Sequence, residues 1–241
     1  MKKVKIKNLT IGEKPVLLCT VLEEDVESTV KNAKKAFENG ADCIELRIDK
    51  LRDNSMIKKV IKKVKGPKLL VCRPRDWNGF FNGSEKERVE RLLTAIENGA
   101  DAIDVELKTP SDLREKVIKN AKEKGIPILI AYENFEKTPS NEELLNILKE
   151  EQKLGADIAK FAVIANSYSD MLRVLQVVLE AKKILNIPFV TIAMGRHGSI
   201  TRPLACVLGS SMTYCAVRKG KEGAPGQLPV KETREIINLL S

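Results

Sequence analysis

Glu38-Asn39-Gly40-Ala41-Asp42-Cys43-Ile44-Glu45-Leu46 recurs as Glu97-Asn98-Gly99-Ala100-Asp101-Ala102-Ile103-Asp104-Val105, and Leu154-Gly155-Ala156-Asp157-Ile158-Ala159-Lys160 is a third copy. The three glycines stand roughly 56–59 residues apart, the mark of a repeated supersecondary unit. Each copy follows an amphipathic helical stretch and precedes a short apolar run, so each reads as a helix C-cap glycine leading into a buried strand. Between the copies lie Lys68-Leu69-Leu70-Val71-Cys72 and Ile126-Pro127-Ile128-Leu129-Ile130-Ala131, also preceded by helical pattern, which sets the strand-helix unit at about 28 residues. Further apolar runs over 16–20, 187–192 and 207–214 bring the expected strands to eight. Near-continuous apolar strands alternating with helices imply a parallel sheet, and eight such units imply a closed (β/α)8 TIM barrel occupying 1–241 as a single domain. Val4-Lys5-Ile6-Lys7 before Gly12 alternates like a strand and predicts an N-terminal β-hairpin across the barrel bottom. A doubly wound open sheet is the alternative, but no Gly-x-Gly-x-x-Gly follows the first strand.

Composition narrows the function. The chain has 241 residues, with 42 Lys+Arg against 33 Asp+Glu for a formal charge of +9, and 43% hydrophobic residues. That is sufficient apolar matter for a buried core, which excludes disorder as the main state. The densest basic run, Lys58-Lys59-Val60-Ile61-Lys62-Lys63-Val64-Lys65, puts Val60, Ile61 and Val64 at helical spacing with lysines on the other faces, an ordinary solvated helix. Aromatics are only 4% of the chain and none interleave with the basic residues, so no nucleic-acid partner is expected. No apolar run approaches the roughly 20 residues of a membrane span, and Met1-Lys2-Lys3-Val4-Lys5 is not followed by a signal-peptide core, so no membrane partner and a cytoplasmic location are expected. Five cysteines without paired short spacings fit neither a disulfide framework nor a zinc site; Cys19, Cys43, Cys72, Cys206 and Cys215 read as small apolar residues.

A barrel carries its chemistry at the C-terminal ends of its strands. The first polar residues closing each apolar run are Thr20, Glu45 with Arg47, Arg73, Glu106, Glu133, Lys160 and Arg202, a polar ring. Glu45 and Arg47 are two apart and share a face of their strand; by themselves they fit a rim ion pair as well as a site. Lys160 lies among apolar residues in Asp157-Ile158-Ala159-Lys160-Phe161-Ala162-Val163, where burial is expected to lower its pKa and free the amine to attack a carbonyl. The plainer reading is a lysine that snorkels or pairs with Glu106 or Glu133. Several arginines around a lysine imply an anionic, oxygenated ligand, because guanidinium forks match carboxylates.

The segments Ile44-Glu45-Leu46-Arg47-Ile48-Asp49, Phe135-Glu136-Lys137-Thr138-Pro139, Ala159-Lys160-Phe161-Ala162, Ile200-Thr201-Arg202, Gly209-Ser210-Ser211-Met212-Thr213 and Ala224-Pro225-Gly226-Gln227 together resemble the type I 3-dehydroquinate dehydratases over nearly the whole chain. The resemblance implies a (β/α)8 barrel, commonly a homodimer, working in the shikimate pathway on a small carboxylate substrate without metal or organic cofactor. It implies an imine-forming lysine at Lys160, substrate contacts at Thr20, Glu45, Arg47, Arg73 and Gln227, and the main carboxylate clamp at Arg202. The chain departs from the family at its catalytic histidine: Tyr132-Glu133-Asn134 stands where the family carries Tyr-His-Asp, which moves the base to Glu133. The family's acidic partner of that histidine falls near Asn78, and a family serine is Gly223. A carboxylate beside an amide avoids like-charge repulsion, so the two changes look mutually adjusted. His197, in Met194-Gly195-Arg196-His197-Gly198, is the remaining imidazole, on a mouth-side loop whose glycines suit a lid. The alternatives are a lysine-imine enzyme on a related cyclic oxo-acid with altered proton transfer, and a barrel that binds such a ligand without turnover.

Overall fold

The computed structural model describes residues 2–240. After an antiparallel hairpin of β1 (Val4–Ile6) and β2 (Leu9–Ile11), strands and helices alternate: β3 (Val16–Val21), α1 (Val26–Glu38), β4 (Cys43–Arg47), α2 (Asn54–Lys63), β5 (Lys68–Val71), α3 (Glu85–Glu97), β6 (Ala102–Glu106), α4 (Ser111–Glu123), β7 (Ile128–Asn134), α5 (Asn141–Lys153), β8 (Ile158–Ile164), α6 (Tyr168–Ile184), β9 (Phe189–Met194), the short α7 (Gly195–Gly198), α8 (Thr201–Leu208), β10 (Met212–Ala216) and α9 (Val230–Leu240). The sheet runs β10-β3-β4-β5-β6-β7-β8-β9, and every neighbouring pair is parallel. At the seam between β9 and β10 no ladder forms; Ser211 N–H donates to Phe189 O at 2.8 Å instead. This is the expected (β/α)8 barrel with its hairpin.

The sequence repeat has a physical cause. Gly40, Gly99 and Gly155 all adopt positive φ (97°, 83° and 92°), the turn that stops a helix and redirects the chain into the next strand. The aspartate two residues on ties that strand to its neighbour. Asp42 accepts from Leu17 N–H and returns its own N–H to Leu17 O, and Asp157 does the same with Ile128. Asp101 instead takes the ammonium of Lys68 at 2.8 Å. Helix starts are equally local: Ser84 with Glu87, Ser140 with Glu143 and Ser167 with Asp170 form reciprocal capping boxes.

Strand alternation sorts the buried residues into two layers. Leu17, Cys19, Ile44, Leu46, Ile103, Val105, Ala159 and Phe161 pack outward beneath the helices. Val16, Leu18, Cys43, Leu69, Ala102, Leu129, Ile158 and Val190 fill the lower barrel interior, together with Val4, Ile6 and Ile11 of the hairpin. The hairpin therefore plugs the bottom. Continuing the same inward parity toward the mouth gives Thr20, Glu45, Arg47, Asp104, Glu106, Glu133 and Lys160, all buried. One boundary moves. The run read as a strand over 207–214 is split, because Val207 and Leu208 finish α8, Gly209 (φ 136°) ends it, and β10 begins only at Met212. Apolar content without a clear period could not separate the end of a buried helix from a buried strand.

Candidate active site

A narrow cleft at the strands' C-terminal ends is lined by Glu45, Arg73, Glu133, Lys160, Arg202, Tyr214 and Gln227, with Ala162, Ile192, Met194, Gly223 and Ala224 as its apolar walls. Lys160, on β8, points its Nζ between Glu133 Oε1 (3.2 Å, β7) and Asp104 Oδ2 (3.4 Å, β6) and lies 4.6 Å from the ring centre of Tyr214 (β10). Arg73, just past β5, bridges two acids: Nη2 donates to Glu133 Oε1 and Nε to Glu106 Oε1 at 3.3 Å.

The protonation states follow from this clustering. Burial works against the charge on Lys160, but Tyr214, Asp104 and Glu133 outweigh it and hold its pKa well above the usual lysine range. Of those neighbours the carboxylates matter at neutral pH, because burial pushes the Tyr214 phenol up. Lys160 is therefore an ammonium, not the free amine that burial alone predicted; two acids in contact reverse the sign. Burial raises Glu133 as well, yet Arg73 and Lys160 bring it below the ordinary carboxylate value. Burial and Glu133 push Glu106 up to about 7, and burial raises Asp104. Three oxygens in this cluster are buried without a partner: the carboxylate oxygens Glu133 Oε2 and Asp104 Oδ1, and the phenol oxygen of Tyr214.

Arg202 occupies a different position from the one expected. It lies in α8, not at a strand end, and its side chain reaches back under the mouth: Nε donates to Gly226 O (2.8 Å), Nη1 to Tyr214 O and Nη2 to Pro225 O (both 3.0 Å). Among the described residues no carboxylate oxygen comes within ion-pair distance of it, and burial lowers its pKa to about 10. A buried guanidinium held only by carbonyls keeps a positive charge with no carboxylate beside it.

The other expected residues divide. Glu45 and Gln227 line the cleft, and Thr20 stands behind them, donating to Glu45 Oε2 (2.6 Å) and accepting from Gln227 Nε2 (3.0 Å). Arg47 does not line the cleft. Its Nε and Nη2 grip both oxygens of Asp49 (2.8 and 2.7 Å), and Asp49 in turn accepts from Phe80 N–H, so the arginine anchors the segment after β5 and leaves Nη1. Asn78 sits outside the cleft, at the rim with Leu22, Phe80 and 222–226, where it adopts φ 56° at the end of a 3-10 turn. The acidic neighbours that Glu133 does have are Glu106, reached through Arg73, and Asp104, reached through Lys160. His197, in α7, packs edge-on against Tyr168 at 5.0 Å between centroids and does not line the cleft. Sequence reading missed Asp104 and Tyr214. Asp104 was within reach, since it precedes Glu106 by two and shares its inward face.

Fold and site together define a (β/α)8-barrel enzyme whose centre is a buried lysine among carboxylates at the barrel mouth. Residues 18–241 match the profile of the type I 3-dehydroquinase family. The chain belongs to that family, whose members are hydro-lyases. It is 38% identical to the 3-dehydroquinate dehydratase of Methanosarcina barkeri over 98% of this chain and 99% of that one. It is similar in structure to the type I 3-dehydroquinate dehydratase of Clostridium difficile, solved with covalently modified comenic acid (TM-score 0.91, 30% identity, 99% of this chain and 98% of that chain). The 3-dehydroquinate dehydratase of Geobacillus kaustophilus is likewise similar (TM-score 0.91, 28% identity, 99% and 96% coverage).

Proposed function

We propose that this chain dehydrates 3-dehydroquinate to 3-dehydroshikimate through an imine on Lys160, as a step of the shikimate route to aromatic amino acids. The observation that carries this reading is the pairing, in one cleft, of a lysine flanked by two carboxylates with a buried arginine that has no counter-charge. The names of the relatives supply the substrate, and the covalently modified acid in the Clostridium difficile protein accords with a covalent route.

The proposed steps use the residues of this cleft. Arg202 receives the substrate carboxylate, and Glu45 and Gln227 face its hydroxyls. Lys160 gives a proton to the carboxylates beside it, its amine adds to the ketone carbon, and the carbinolamine takes the proton back and leaves as iminium plus water. Glu133 Oε2, the oxygen without a partner, removes a proton from the adjacent carbon, the C–H pair forms a C=C bond to the iminium carbon, and the C=N pair moves onto nitrogen. The resulting enamine returns its pair to expel the hydroxyl, which leaves as water with the proton from Glu133. Hydrolysis of the iminium consumes one water and restores Lys160, so the net loss is one water.

Purified protein given 3-dehydroquinate should develop the enone absorbance of the product, and borohydride should fix ligand mass on the peptide containing Lys160. Absence of absorbance, or mass on another lysine, overturns the reading. A homodimer belongs to the same reading; the exposed Leu172 and Leu179 of α6, with Ile200 beside α8, are apolar surface suited to it, and light scattering tests it. A cytoplasmic setting is supported by five free cysteines, all buried. Among the described residues no helix is long and apolar enough to cross a membrane.

A further inference from the structure

Residues 223–227 cover one side of the cleft, and their seating depends on a contact that none of the roles above uses. Gly223 does not have positive φ, so its backbone does not require glycine. Space does. A Cβ built there falls inside the contact distance of Thr20 Cγ2 and 2.9 Å from Thr20 Cβ. The same two positions are joined by a run of hydrogen bonds: Gly223 N–H donates to Gln227 Oε1 (2.7 Å), Gln227 Nε2 to Thr20 Oγ1 (3.0 Å) and Thr20 Oγ1 to Glu45 Oε2 (2.6 Å). Three of these four residues, Gly223, Gln227 and Glu45, line the cleft. At the other end of the segment, Gly226 lies against Gly195 O and Ser199 Oγ, where a Cβ would come within 2.6 and 2.8 Å. The segment is thus wedged at both ends, with no slack to absorb an added atom.

We propose that Thr20 and Gly223 are a size-matched pair: the Thr20 γ-methyl fills the volume a side chain at 223 would need, and this fit sets how closely 223–227 closes on the ligand. Both are positioning residues, since they act through Gln227, Glu45 and Ala224. The inference rests on the function proposed above for its kinetic readout but not for its structural one. Adding a methyl at 223 lifts the segment away from β3, which weakens ligand contacts from Gln227 and Ala224 while leaving Lys160, Glu133 and Asp104 untouched.

Gly223→Ala should therefore raise KM by about tenfold or more while kcat stays within about threefold. Thr20→Ser, which removes the γ-methyl and with it the worse of the two overlaps, should recover part of that loss when combined with Gly223→Ala, the remaining 2.9 Å approach to the residue-20 Cβ accounting for the rest. Thr20→Val, which keeps the shape and loses the hydroxyl, should not. In the protein without ligand, hydrogen exchange of the peptide over 219–227 should quicken in Gly223→Ala and slow again in the double variant with Thr20→Ser, while exchange in β7 and β8 stays constant. The exchange arm holds even if 3-dehydroquinate proves not to be the substrate. Unchanged KM and exchange in Gly223→Ala, or a Thr20→Ser double variant no better than Gly223→Ala alone, overturns the pairing. Uniformly faster exchange across the whole barrel also overturns it, because the effect would then be general destabilisation.

Discussion

Two buried lysines occupy opposite ends of this barrel. Lys68 begins β5 at the bottom, where its Nζ meets Asp101 Oδ2 at 2.8 Å and Gly66 O at 3.4 Å, with its side chain 4% exposed. Lys160 is as deeply buried near the mouth, 2% exposed at its side chain. Burial therefore distinguishes neither. The bottom pair is one cation against one anion with a carbonyl filling in, a closed account of charge and hydrogen bonds. At the mouth Lys160 and Arg73 face Asp104, Glu106 and Glu133, the lysine's own contacts lengthen to 3.2 and 3.4 Å, and two carboxylate oxygens remain unbonded. Unspent bonding capacity, not the burial of a charge, is what separates a reactive centre from a strut.

The largest expected effect is the removal of each lysine in turn. Lys160→Met should cut dehydratase rate by about four orders of magnitude or more and abolish borohydride trapping. Lys68→Met should leave both intact and instead lower thermal stability, since it strands Asp101; a few kcal/mol is the usual cost of breaking a buried pair, discounted here because the Asp101 side chain is 16% exposed. Rate loss in the Lys68 variant would collapse the distinction.

Next is Glu133→Gln, which keeps the shape of the cleft and removes the proposed base. Rate should fall by about 10²–10⁴-fold while trappable adduct accumulates. Because Glu133 is held below the ordinary carboxylate value, it stays ionised down the acid side, so a limb of the wild-type rate profile near 7 should come from Glu106 and vanish in Glu106→Gln. A limb there that vanishes in His197→Ala would put the base in α7.

Arg202→Ala should weaken carboxylate binding by roughly ten- to a hundredfold, measured by calorimetry with a non-reacting analogue. Unchanged affinity removes Arg202 as clamp and leaves it as the support of Tyr214 O, Pro225 O and Gly226 O. The smallest effect concerns Glu106. Its folded pKa, raised to about 7, means the folded chain binds a proton more tightly than the unfolded chain, so this group's share of stability declines as pH rises from about 4.5 to about 7. Glu106→Gln should flatten that part of the melting-temperature profile, and an unchanged slope would assign it elsewhere.

The barrel was legible because its cause is local. A C-cap glycine, an aspartate that ties adjacent strands and an apolar run recur at a fixed period, and strand parity then aims Glu45, Glu133 and Lys160 inward. Partners were not legible. That Arg47 is taken by Asp49, that Arg202 reaches from a helix to three carbonyls, and that Lys160 keeps its proton are decided by which side chains meet across strands distant in sequence. Tyr214 escaped notice for the same reason, being an unremarkable strand residue until β8 and β10 are curved into a ring, whereas Asp104 lay within reach of strand parity alone.

That ring closes through the pairing of the last strand with the first, Met212 opposite Val16 and Ala216 opposite Thr20. On the ribosome the order of emergence then matters. Glu45, Arg73, Asp104, Glu133 and Lys160 all precede Arg202, Tyr214 and Gln227 along the chain, so the lysine and acids lack part of the cleft's lining until the later segments are made. The cleft is complete only once β10 has docked against β3.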